Sequence, residues 1–370
     1  MSEIITQSKV LLDTMQPEQA VELLVSNLDG HKDSVPYLTA LGQAYLEINE
    51  VQDAYDTFVR ACELDPEAKE GAEKFLTLGQ IIGGRDGLHT IDTGIRLLKN
   101  KLESSLAEYP KDLFESEEEY RSDIVKQITL SVSSEIEIWM TDLCMEPEAE
   151  RMCEELIDYS LNLDNRNPES YAMLASIRIS QQRNDDAIQA VQKSWEFYKK
   201  KIADLEYKSE HGTAKEIFDV GMEHADLIQP LIALARYAIE LEQYDIALEV
   251  SDSIQEINDG ILDAYYIEIL AYTSKARQLL NAPEIQMSEL STHPDEAIRA
   301  LMQEARYSAT QIHKILQTDD AREFDGELVQ QLNQLMTEVG GPIMSELMPP
   351  KRSKNDDDED IEWEDLDEVD

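Results

Sequence analysis

Between Tyr37 and Pro66 the apolar positions fall three and four residues apart, first at Leu38, Leu41 and Tyr45, then at Ala54, Phe58 and Ala61. That is the period of a helix with one buried face, so the stretch predicts two amphipathic helices joined near Asn49. Side-chain size follows the same logic. Gly42, Ala54 and Ala61 are small enough for two antiparallel helices to approach closely. Leu38, Leu41, Tyr45 and Phe58 are large enough to fill the seam with a neighbouring pair. Pro66 ends the second helix, because it has no N–H with which to continue the ladder.

These residues, with Asn49, fall on positions 4, 7, 8, 11, 15, 20, 24, 27 and 32 of the tetratricopeptide (TPR) repeat, a helical hairpin of about 34 residues. The same ruler finds further units. Residues 168–201 place Tyr171, Leu174, Ala175, Ala187 and Val191 in register, and residues 228–261 place Leu231, Leu234, Ala235, Ala238 and Ala247. Residues 134–167 form a degenerate unit with Met140, Cys153, Ile157 and Ser160. Residues 1–34 give only a second helix, "PEQAVELLVSNL", with Ala20 and Leu24 in register. A last pair, "DAYYIEILAYTSKA" and "DEAIRALMQEARYSATQIHKIL", is stretched at its turn by "NAPEIQMSELSTHP", and "ELVQQLNQLMTEV" reads as one more amphipathic helix.

Hairpins of this kind bury their faces only against their neighbours. The pattern therefore predicts an all-α TPR α-solenoid of about seven helical hairpins with a disordered acidic C-terminal tail. Its expected boundaries are a superhelix over residues 1–316, interrupted near 103–122 and 281–295, a C-terminal capping helix region over 317–347, and the tail over 348–370.

The glycine-dense "IIGGRDGL" at residues 81–88 could cradle a phosphate or turn the chain. A phosphate loop needs a strand before it and Gly-Lys-Ser/Thr opening the next helix. Here Leu78 and Gly79 before it fit a first repeat helix, Gly94 lies near position 20 of a second, and Leu88 and His89 follow the last glycine. The stretch reads as the turn of a third hairpin, lengthened by a few residues.

Charge narrows the partners. The formal net charge is -46, and the tail alone, residues 351–370, holds eleven acids and three bases, so the body is itself strongly acidic. Such a field attracts basic partners and repels nucleic acid and anionic membrane, neither of which is an expected partner. The plainer reading of the same charge is solubility. "MSEIITQSKV" lacks the basic and apolar regions of a signal peptide, and no charge-free apolar run approaches membrane-spanning length, so a soluble chain of the cytoplasm and nucleus is expected. Cys62, Cys144 and Cys153 have no metal-type spacing and read as free thiols packed in the core.

No catalytic, cofactor or metal residues are predicted. The six histidines are scattered, with no HExxH and no GxSxG elbow, and acidic pairs such as Asp185–Asp186 read as solvated faces. The chain reads as a binding protein, not an enzyme. In a TPR array the first helix of each hairpin lines the concave side. The matching positions here include Glu47, Glu135, Asp142, Glu146, Glu169, Glu240, Asp263 and Tyr266, an acidic set expected to face a partner. The alternative placement for each is an outward, solvated one. The Lys/Asn clamp by which some TPR proteins hold acidic C-termini is missing: its positions carry Thr39 and Gln43, Ala172 and Ser176, and Ile232 and Arg236. In the tail, Trp363 stands among acids as a candidate anchor onto a basic groove or as an isolated aromatic, and "PPKRSK" has the character of a short import signal.

Three stretches carry a resemblance: "FLTLGQIIGGRDGL", "LNLDNRNPESYAMLASIRISQQRNDDAIQAV" and the acidic end with "IEWEDLDEV". Over nearly its whole length the chain resembles the fungal TPR assembly chaperones dedicated to large-subunit ribosomal protein four, the uL4 family. The resemblance implies that the chain binds this newly made, highly basic protein through its extended internal loop. It implies further that the chain shields that protein from aggregation and misplaced RNA contacts, and escorts it to nuclear pre-60S ribosomes, with an import factor as a further partner. A second reading is a TPR scaffold subunit of a multiprotein complex unrelated to ribosome assembly.

Overall fold

The computed structural model describes residues 3–14, 16–104, 109–111, 114, 116–318 and 326–347. Trp363, the import-like "PPKRSK" and the acidic tail lie outside them. The described residues form helices and turns, without strands, and divide into two units, Met1–Glu223 and His224–Asp370.

The first unit contains α1 (Glu3–Asp13), α2 (Pro17–Asn27), α3 (Val35–Glu47), α4 (Val51–Leu64), α5 (Glu73–Ile82) and α6 (Gly84–Glu103). It continues through α7 (Glu117–Met140), α8 (Ala149–Leu163), α9 (Pro168–Ser180) and α10 (Asn184–His211), and the division falls within α11 (Ala214–Asp226). From α1 to α10 each helix packs on the next, and α1 on α3, α5 on α7 and α7 on α9 add the first-helix contacts of stacked hairpins. The second unit holds α12 (Ile228–Glu240), α13 (Tyr244–Ile257), α14 (Leu262–Leu280), α15 (Met287–Ser291), α16 (Glu296–Ile315), α17 (Gly326–Glu338) and α18 (Met344–Leu347). There α12 packs on α13 and α14, and α14 on α16. The fold class is all-α and of TPR type, as the period predicts.

Local sequence sets the helix ends. Asn167 caps α9 by accepting from the backbone N–H groups of Glu169 and Ser170, with Pro168 in the first turn. Ser116 and Asp295 cap α7 and α16 in the same way. Three hairpin turns are built alike. Asn49, Gln182 and Glu242 are left-handed (φ 59, 58 and 58°), and each donates its N–H to a carbonyl three residues back. In each turn the following residue bonds five residues back. The paired bonds satisfy carbonyls that the helix end leaves open.

Large apolar side chains fill the seams. Ile91, Ile95 and Leu98 of α6 meet Ile124, Ile128, Val132, Ile136 and Trp139 of α7 and Ile157 of α8. In the second unit, Leu332, Leu335 and Met336 of α17 close over Ile298, Met302 and Ile312 of α16, with Leu290 of α15 buried beneath. Burying one such side chain stabilises the fold by roughly 1.5–3 kcal/mol.

Three expectations are corrected. The N-terminal unit has a first helix, α1, whose Ile4, Ile5, Leu11 and Leu12 pack with Ala20 and Leu24 of α2 and Tyr37 of α3. Cys144 is exposed; Cys153 is buried and Cys62 half-buried, and burial pushes both of those thiols up to about 11. The glycine stretch is shortened, not lengthened: only Gly83 separates α5 from α6, and Gly84–Leu88 are already helical.

Candidate functional site

The tight corner between α5 and α6 explains where two of the expected partner-facing acids go. Gly83 holds φ +66°, a region costly for any residue with a Cβ. The two helices then touch backbone to backbone: a Cβ on Gly79 would lie 2.7 Å from the Gly87 carbonyl oxygen, and one on Gly87 would lie 2.5 Å from that of Gly79. The N-terminus of α6 is capped from the α7–α8 loop. Asp142 Oδ2 accepts the Gly84 N–H at 2.8 Å, so the helix-end donor that a phosphate would use is bonded to the chain's own carboxylate. Next to it, Arg85 bridges Glu146 and Glu148 at 2.9 Å each and lies over the Trp139 ring. Its bond and charge hold the Glu148 carboxyl below the ordinary range. Asp142 and Glu146 thus fasten the glycine corner to the next hairpin.

Glu135, in α7, is different. It is only 5% exposed, and its Oε1 has no hydrogen-bond partner. Burial first, then the charge of Asp92 on α6, pushes its carboxyl up to about 8, opposed by Lys99. The Lys99 ammonium itself lies 4.1 Å from the centroid of the Tyr159 ring. The preceding residue, Ser134, is bonded by Gln80 of α5.

Glu169 lines a cleft of about 1070 Å³ bounded by parts of α7, α9 and α10. Its carboxylate lies 3.7 Å from Lys201. Arg121, Lys126, Arg166, Lys200 and Lys208 also line the cleft, beside Glu118, Asp164, Asp204 and Glu223. An acidic environment is expected there from sequence; the structure corrects it to a mixed one rich in bases. The long α10 is the reason, because it brings Lys200, Lys201 and Lys208 to the wall.

The remaining candidates are spread out. Glu47 is exposed at the end of α3. In the second unit Glu240 is exposed at the end of α12, Tyr266 of α14 is 40% exposed, and Asp263 is paired with Arg236 at 2.6 Å. Sequence reasoning passed over Asp92, Arg85 and Glu148. It also missed Glu268, a buried acid that accepts from Gln255 and Ser308, both at 2.6 Å. Each acts through a residue on another helix or loop, a pairing that helical spacing within one segment does not carry.

A model described as the ACL4 C-terminal domain matches residues 260–362, and a tetratricopeptide repeat model matches residues 35–67. An Emericella nidulans protein named "Probable assembly chaperone of rpl4" is 30% identical over 253 residues, covering 64% of this chain and 60% of the relative. A Schizosaccharomyces pombe protein of the same name is 34% identical over 156 residues, covering 41% of this chain and 43% of that one. The chain therefore matches less than two thirds of the length of either relative. A solved structure described as "Assembly Chaperone of RpL4 (Acl4) (Residues 1-338)" superposes with a TM-score of 0.57 at 22% identity, covering 75% of this chain and 98% of that one, and shares the fold. By the period of its hairpins, the match over its C-terminal residues and its fungal relatives, the chain is similar to the TPR proteins named as assembly chaperones of rpl4.

Proposed function

We propose that this chain is a dedicated chaperone for a newly made, highly basic ribosomal protein of the large subunit, of the uL4 family. It holds the partner's extended internal loop against carboxylates of its first helices, keeps it from aggregating and from binding RNA out of place, and escorts it from cytoplasm to nuclear pre-60S particles. It does so by binding and not by catalysis. The observation that carries this reading is kinship with two fungal proteins named for assembly of rpl4, in a chain whose net charge is -46. Physical chemistry supports it. Carboxylates facing Lys and Arg make charge-assisted hydrogen bonds, and an acidic field speeds the encounter with a basic segment. Of the acids singled out from sequence, Glu47, Glu240 and Glu135 are the partner-facing set; Asp142, Glu146, Asp263 and Glu169 lie against cationic or N–H groups of the chain itself. Tyr266 adds an exposed ring on which an arginine can stack.

The test is affinity purification of the tagged chain from fungal cells in mild salt, with mass spectrometry of what accompanies it. A single stoichiometric basic ribosomal protein, together with salt-sensitive binding to its isolated loop, is the expected result. A set of large acidic or neutral subunits, with ribosomal proteins at background, would replace this reading with that of a complex scaffold.

A further inference from the structure

One group in the first unit is built at odds with ordinary folding. The Glu135 carboxyl is nine-tenths buried in the α6–α7 seam, and its Oε1 receives no hydrogen bond. Native proteins seldom leave such an atom without a donor unless it serves another purpose. The group that acts on it across the seam is a second acid, the exposed Asp92, whose charge raises the Glu135 carboxyl further. The cation at hand, Lys99, is engaged with the Tyr159 ring of α8, and no Lys99–Glu135 ion pair forms among the described residues. From α5 the nearby group is the neutral Gln80, bonded to Ser134, and from α9 it is the neutral Asn167, bonded to Thr129 two turns back along α7.

We propose that the Asp92–Glu135 pair, one carboxyl exposed and one buried behind it, is a receptor for a single lysine or arginine side chain of the basic partner. This rests on the basic-partner reading above and assigns to it a site and a dependence on pH. In the empty site Glu135, buried and beside a second acid, keeps its proton. An arriving ammonium or guanidinium donates to Asp92 first, and its charge makes the Glu135 proton easier to lose. The proton leaves to solvent, and the cation is then held by two carboxylates. Binding thus releases up to one proton, and affinity rises with pH until Glu135 is ionised in the free protein as well, near 8. A lysine or arginine inserted here is read by depth as well as charge, which distinguishes it from contacts made to Glu47 or Glu240 on open surface.

The experiment uses the full chain, the variants Glu135→Gln and Asp92→Asn, and a fluorescently labelled lysine- and arginine-rich peptide, with anisotropy followed from below pH 6 to above pH 8 at constant ionic strength. Glu135→Gln keeps the shape of the protonated acid and Asp92 is exposed, so both variants retain the fold, which circular dichroism checks. Wild type is expected to bind more tightly as pH rises, by up to about tenfold per unit, the limit for one released proton. Glu135→Gln should lose that rise, and Asp92→Asn should weaken binding about tenfold at pH 8. Wild type and both variants binding alike, with superimposable pH profiles, would overturn the receptor while leaving the basic-partner reading in place. A wild type that shows no salt-sensitive binding at any pH would overturn both.

Discussion

Asp142 caps Gly84 across 58 residues of sequence, its Oδ2 accepting the backbone N–H at 2.8 Å. A corner with one residue between helices is stable only when the open N–H groups of the second helix find acceptors, and the α7–α8 loop supplies one. Asp142→Ala should therefore destabilise the first unit by about 1 kcal/mol, the ordinary cost of a lost cap. Urea denaturation monitored by far-ultraviolet circular dichroism reads it. Asp142→Asn, which keeps an acceptor oxygen, should recover most of the loss.

The Asp65–Lys74 pair makes a sharper case. The two side chains meet at 2.9 Å with 7% and 1% exposure, and Asp65 also accepts from the N–H groups of Lys69 and Glu70. Lys74→Met leaves the carboxylate buried without its cation and should cost about 3–5 kcal/mol. Burial alone would raise the Asp65 carboxyl, but the Glu70 N–H and the Lys74 ammonium outweigh it and hold it below its usual value. An acid lowered by folding gives stability that is present above its unfolded pKa and lost as pH falls through the folded one. Acid titration of stability should show this loss in wild type and not in Asp65→Asn.

Glu135 has the opposite sign. Its carboxyl is raised to about 8 in the folded chain, so the native state holds a proton that the unfolded state has released. Its contribution is largest below the unfolded pKa and declines as pH rises toward 8, at up to about 1.4 kcal/mol per unit. Thermal denaturation between pH 5 and pH 8 should show Glu135→Gln overtaking wild type at the upper end. Parallel curves would count against a protonated Glu135.

Gln182 and Glu242 occupy the left-handed turn position without being glycine. A Cβ there costs roughly 1–2 kcal/mol, so Gln182→Gly and Glu242→Gly should each raise the midpoint of unfolding. Asn49, whose side chain tolerates this conformation better, should gain less from the same change.

These contrasts explain what was legible in the sequence. The second hairpin was readable because Gly42 and Phe58 owe their sizes to one contact: a Cβ on Gly42 would lie 2.8 Å from the Phe58 ring. The first helix is hard to read because it lacks the repeat's marker residues, although Ile4, Ile5, Leu11 and Leu12 keep a helical period. From sequence the glycine corner reads as a longer turn, because its length depends on a distant aspartate. Position along a first helix picked out Glu135, but not that it is buried, nor that Asp92 faces it from the neighbouring helix.

The backbone contact between Gly79 and Gly87 leaves no room for a methyl group, and Asp92 stands five residues beyond Gly87 on the same rigid rod. Any side chain introduced at that crossing acts as a wedge at one end of a lever. The far arm carries Asp92 away from Glu135, so a change that touches neither acid would still unsettle the protonation of Glu135. The crossing is, in effect, the fulcrum on which the alignment of the two carboxyls turns.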